Sequence, residues 1–160
     1  VADAIDGSGG LVAPRIRTAR TAEADDLDGI HRRASLIWDA YRASLLADPA
    51  VLGVSRDDLA AGRIRVAVDA DDLPLGFAAV LPGEGAVWDL DGLFVEPRAM
   101  ERGIGRALVI DAVARARAAG AIRMEVVAQP AAAFYVHLGF VDAGPEQTPF
   151  GPARRLGLDL

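Results

Sequence analysis

The chain has 160 residues, 52% apolar and 25% charged, which fits one globular domain with its own core and excludes a disordered polar chain. All 17 basic residues are Arg; Lys, Cys and Asn are absent, which removes lysine Schiff-base chemistry, the lysine of a P-loop, thiol nucleophiles, disulfides and thiolate zinc sites. The net charge of -6 gives no basic footprint for nucleic acid or an anionic membrane surface.

Residues 1–14, with Gly7, Ser8, Gly9 and Gly10, read as a flexible lead-in to a single domain over 15–160. The lead-in has no cationic start and no apolar segment of a secretory signal, and no apolar run approaches the roughly 18 residues of a membrane span, so a cytoplasmic location is expected. A strand is expected at 16–19. Thr21 then stands as an N-cap before an acidic first turn (Glu23, Asp25, Asp26), and Leu27, Ile30 and Ala34 recur at helical spacing, with His31 assigned to the polar side. Helical pieces bearing Trp38, Tyr41, Leu45 and Leu46 run to Asp48-Pro49, and Ser55 caps a short helix over 56–61.

The period then becomes two, giving three antiparallel strands at 64–68, 75–81 and 87–95 separated by turns at 69–72 and 82–85. A strong helix follows over 103–119, with Asp111 and Arg115 spaced to pair and Gly120 just past its end. A buried strand at 122–128, a short helix over 131–138 between Pro130 and Gly139, and closing strands at 140–142 and 153–160 complete the chain. The helix between the strands at 87–95 and 122–128 makes a parallel crossover in an otherwise antiparallel sheet, hence an α/β fold without internal repeats.

Chemistry concentrates at Arg-Ala-Met-Glu-Arg-Gly-Ile-Gly-Arg-Ala (98–107). Gly103 and Gly105 open the long helix, where backbone N–H groups converge and the helix dipole favours an anion. Arg98, Arg102 and Arg106 against Glu101 make the window locally basic. A polyphosphate site is one reading; a tight turn seating a helix on a sheet is the other. His31 and His137 stand in no metal-binding spacing, so no metal is expected.

Leu-Asp-Gly-Leu-Phe-Val-Glu-Pro (90–97), Arg-Gly-Ile-Gly-Arg-Ala-Leu (102–108) and Ala-Phe-Tyr-Val-His-Leu-Gly-Phe (133–140) together resemble the GNAT superfamily of acyl-CoA-dependent N-acetyltransferases, most specifically over 86–142. The resemblance implies the GNAT fold, a mixed, mostly antiparallel sheet of about six to seven strands with helices on both faces. It also implies acetyl-CoA as co-substrate, no metal, and a small-molecule or peptide amine as acceptor, attacked directly in a ternary complex; a homodimer is left open. By the same resemblance, backbone N–H groups of Arg102, Gly103, Ile104, Gly105, Arg106 and Ala107 hold the pyrophosphate, with Arg98 nearby and Met100 where Gln or Arg is usual. Leu93, Phe94 and Val95 offer a strand edge to the pantetheine arm because the family splays this strand from the next; Gly92 suits a bulge there. Gln129 and Phe134 complete the cofactor site.

Tyr135 matches the family's acid, and Asp89 falls where several members carry a glutamate base, with Asp91 two residues along on the same strand face. Asp89 reads equally as a solvated strand carboxylate. Trp38, Tyr41 and Trp88 either wall the acceptor pocket or pack as core aromatics, and His137 is expected exposed on its helix. The alternative to an enzyme is a catalytically weak acyl-CoA-binding sensor or partner module. A Gly-loop nucleotide-binding domain is disfavoured because the loop follows an antiparallel meander.

Overall fold

Strands built on alternating side chains assemble one seven-stranded sheet in the computed structural model, which describes residues 14–160 apart from the side chains at 40 and 41. The lead-in expected over 1–14 therefore falls, but for Pro14, outside the described residues. The strands are β1 (Arg15–Thr18), β2 (Ile64–Val68), β3 (Pro74–Pro82), β4 (Val87–Val95), β5 (Arg123–Ala128), β6 (Val141–Thr148) and β7 (Gly151–Asp159), in the order β1-β2-β3-β4-β5-β7-β6. Among the described residues only β4 and β5 run parallel, joined by α4 (Ile104–Ala118). The mixed, mostly antiparallel sheet expected from the sequence is thus the one observed.

Both faces of the sheet are covered. Val66, Val68, Phe77 and Ala79 face one way, into a core closed by Leu27 and Ile30 of α1 (Ala24–Ser35) and Leu59 of α3 (Arg56–Ala60). Ala67, Ala78 and Val80 face the other way, against Leu108, Ala112 and Ala116 of α4. Small residues on both sides of that contact let α4 lie close on β2 to β4. The remaining helices are α2 (Asp39–Ala47) and α5 (Ala132–His137), the latter adding Tyr135 to the α4-side core.

Three local expectations are corrected. Asp111 does not pair with Arg115; it accepts two hydrogen bonds from Arg65 of β2 at 2.7 and 2.9 Å, while Arg115 donates to the Gly62 carbonyl. A fixed guanidinium across the helix–sheet seam wins over a mobile i,i+4 partner in water. Thr21 begins a 3-10 turn instead of capping, and the Glu23 carboxylate accepts from the Arg20 N–H at 2.7 Å and from Arg17. The closing strand expected at 140–142 instead runs Val141–Thr148, an edge strand whose outward residues carry no apolar alternation and whose Pro145 is tolerated there. In addition, β4 is bulged: Ala79 faces Gly92 while Val80 faces Leu90, leaving Asp91 as the extra residue; the alternation breaks after it, with Leu90 and Leu93 both on the α4 side, so Asp91 stays on the face of Asp89 as expected. Among the described residues no helix is long and apolar enough to cross a membrane.

Candidate active site

The bulge matters because of what lies beyond it. β4 and β5 pair only where Val87, Trp88 and Asp89 meet Arg123, Met124 and Glu125. Past that point β4 stays bonded to β3 and β5 to β7, so the two central strands part and open a cleft of about 1050 Å³ through the sheet. Gly92 suits the bend, since a Cβ there would fall 2.8 Å from Phe94 Cε2.

On the α4 face the cleft is closed by the start of α4. Gly103 has φ +78°, the left-handed backbone that glycine adopts without strain, and a Cβ there would meet nothing within 4 Å. The loop therefore presents open space in front of the helix's first N–H groups, the arrangement that cradles an anion. A Cβ on Gly105 would sit 3.4 Å from Phe134 Cζ and 3.7 Å from Val95 Cγ2, so helix start, strand lip and α5 converge on that glycine. Arg106 lines the cleft at this end.

Tyr135 is buried with 6% of its surface exposed, its ring edge-on to Phe134 and Phe140 at centroid distances of 5.1 and 5.6 Å. Burial pushes its phenol above the ordinary value, keeping the hydroxyl protonated in the neutral range. Asp91 lines the same cleft; desolvation, then the charges of Asp58 and Asp89, raise its carboxyl above the usual range.

Leu93, Phe94, Val95, Gly103, Ile104, Gly105, Arg106, Gln129, Phe134 and Tyr135 are brought together around the cleft. Arg98, Arg102 and Ala107 lie near the loop without lining it, the two arginines exposed. Asp89 lies elsewhere, in a recess with Glu84, Val87, Glu125 and Arg155, its carboxylate against Gly83. Trp88 packs on the α4-side core, whereas Trp38 lines the cleft; the side chain of Tyr41 is outside the described residues. His137 is exposed, its Nδ1 2.7 Å from the Ala133 carbonyl.

His31, expected on the polar side of its helix, is found in the cleft wall, its ring 4.0 Å from that of Phe94 and its Nδ1 buried without a partner. Burial lowers its pKa, with the Gly53 carbonyl and Asp28 acting in the opposite sense. The signal was present: position 31 lies one helical turn past Leu27, inside the stripe with Ile30 and Ala34. Phe150, at the β6–β7 turn, also lines the cleft and carried no sequence signal. Among the described residues no group of three or more potential ligands could hold a metal ion.

The family described as the acetyltransferase (GNAT) domain matches residues 60–142, just over half of the chain. No curated protein matches it in sequence. In structure the chain is similar to the PaiA N-acetyltransferase of Thermoplasma acidophilum in complex with coenzyme A, at 15% identity and TM-score 0.74, covering 93% of this chain and all of that one. It is likewise similar to YncA of Salmonella typhimurium with its cofactor acetyl-CoA, at 21% identity and TM-score 0.68, covering 93% of this chain and 95% of that one.

Proposed function

The chain belongs to the GNAT acetyltransferase family, and from that membership we propose that it moves an acetyl group from acetyl-CoA to a primary amine by direct attack in a ternary complex. The observation that carries this reading is the opening between β4 and β5, with a glycine-started helix on one lip and a buried tyrosine beside it. The first N–H groups of α4 take the pyrophosphate, with Arg106 adding charge and Arg98 and Arg102 attracting the anion from outside. The unpaired edge of Leu93, Phe94 and Val95 takes the amides of the pantetheine arm, and Gln129 and Phe134 border it from the opposite lip.

Asp91 receives the proton of the bound ammonium, because it lines the cleft and its raised pKa makes it a better acceptor than an ordinary carboxylate. Asp89, in its separate recess, supplies part of the field that raises Asp91. The freed amine attacks the thioester carbon, a C–N bond forms and the C–S bond breaks as the Tyr135 hydroxyl donates its proton to the departing sulfur; the second proton leaves the nitrogen as the amide forms and passes through solvent, from which the Tyr135 oxygen is reprotonated. No cysteine is available for an acyl-thiol intermediate.

Steady-state thiol release with acetyl-CoA and an amine tests this. Intersecting double-reciprocal lines are expected; parallel lines contradict direct transfer. Tyr135→Phe should keep acetyl-CoA affinity, since only the hydroxyl is lost, and lower turnover by about 10²-fold, the low end for acid assistance because a thiolate leaves readily. Parental turnover in the Phe variant leaves Tyr135 a packing residue.

A further inference from the structure

The cleft passes through the sheet, and its far side has a different character from the phosphate end. On the α1 face it is walled by Trp38, Leu45, Val51, Phe94, Val127 and Phe150, of which Trp38, Val127 and Phe150 keep 42%, 39% and 42% of their surface exposed. Aromatic and branched side chains left partly open around a cavity fit an apolar guest.

The charges on that side are few. Asp91 is the one carboxylate lining it, and among the described residues no Arg lines it. Nearby charges that could have served a polar guest are held outside the cleft: Asp58 pairs with Arg63 at 3.0 Å, and Asp89 sits in its own recess. Arg33 chelates the buried Glu96 with contacts at 2.7 to 3.1 Å, and Arg42 donates twice to the Leu36 carbonyl and lies 3.1 Å from Asp39. Of the remaining polar groups, the Thr148 hydroxyl is held inside its own turn, donating to the Gly151 carbonyl and accepting from the Phe150 N–H, which leaves Ser35 and the imidazole of His31.

Resting on the acetyl-transfer reading above, we infer that the acceptor is a monoamine on an apolar, ring-bearing body, with one ammonium for Asp91 and no carboxylate. A second ammonium would enter without a counter-charge, and a carboxylate would be desolvated against aromatic walls with no cation to meet it. His31 adds no positive charge against the incoming ammonium, since burial keeps its imidazole neutral near pH 7. The Phe94 ring, tilted against His31 at 4.0 Å and against Phe77 at 5.3 Å, forms a floor for the guest's ring.

The test is thiol-release kinetics at saturating acetyl-CoA with 2-phenylethylamine, phenylalanine, phenylalanine methyl ester and spermidine, alongside calorimetric titration of acetyl-CoA alone. We expect kcat/KM for 2-phenylethylamine to exceed that for phenylalanine and for spermidine by about 10²-fold, and the methyl ester, which masks the carboxylate charge, to recover most of the loss. Phe150→Ala should raise KM for 2-phenylethylamine about tenfold with a smaller change in kcat, the mark of lost ring binding. Equal or better use of phenylalanine or spermidine overturns the inference, as does acetyl-CoA binding with neither 2-phenylethylamine nor the ester accepted. Failure to bind acetyl-CoA overturns the acetyl-transfer reading itself, and the calorimetric arm tells the two failures apart.

Discussion

Asp91 stands on an exposed lip of the cleft, where partial desolvation and the carboxylates of Asp58 and Asp89 raise its pKa, so the ionised form is disfavoured by the fold that positions it. Between the ordinary carboxylate pKa and its raised native value, the folded chain holds a proton the unfolded chain has released, and stability falls as pH rises through that interval. Asp91→Asn should therefore melt higher than the parent at pH 7, the gap closing as pH falls towards 4, while turnover drops by about 10² to 10⁴-fold. Paired thermal melts across that range check the sign; a variant that melts lower at pH 7 would mean Asp91 makes a stabilising contact. The two loop glycines separate a backbone effect from a steric one. Gly103→Ala meets no atom but holds a side chain at φ +78°, costing about 1 kcal/mol of stability. Gly105→Val drives a forked side chain at Phe134 and Val95 and should weaken acetyl-CoA binding at least tenfold by calorimetry, far more than Met100→Ala. These glycines were legible in the sequence because their work is local. The choice between Asp89 and Asp91 was not, because it turns on which residue of β4 is left over against β3.

Helix α4 is the element on which the site depends most, since its packing fixes where its first turn points. Ala112 and Ala116 are fully buried against the sheet and leave room for Leu108, which is also fully buried. Leu108→Ala should cost about 2 to 5 kcal/mol, read from urea denaturation, as a cavity opens between helix and strands that cannot collapse without moving the loop. A loss well under 1 kcal/mol would show that the contact repacks. The Arg65–Asp111 pair ties the same helix to β2 from its flank. The helix itself was plain from its period and its terminal glycine, whereas this pairing was not, because a partner 46 residues away in the chain leaves no trace in local spacing. The length of β6 is hidden from local spacing for a related reason. Gly144 and Pro145 signal a break to any local rule, and only the partner strand β7 shows that an edge can absorb them.

At the scale of the molecule, the antiparallel meander, the parallel crossover and the glycine-opened helix start followed from contiguous patterns, while the apolar wall of the cleft followed from none: α1, β4 and the β6–β7 turn supply it from three distant stretches of chain. The same cleft has a mechanical consequence. Apart from α4, the group β1 to β4 and the group β5 to β7 are joined in the sheet by the register of Val87–Asp89 on Arg123–Glu125. Beyond it, the facing edges of both groups leave backbone amides without a sheet partner, open to exchange with solvent. An amide-bearing ligand arm lying in the gap takes the place of a missing strand and couples the two groups. Deuterium uptake should then fall on addition of acetyl-CoA at both lips together, over 90–95 and 126–129, with smaller changes in β1 and β2. Protection confined to the α4 loop would mean the phosphates are held while the arm stays outside. Protection of both lips would make the gap between β4 and β5 the soft seam of the free molecule, and the ligand arm the stiffener that makes the two halves move as one.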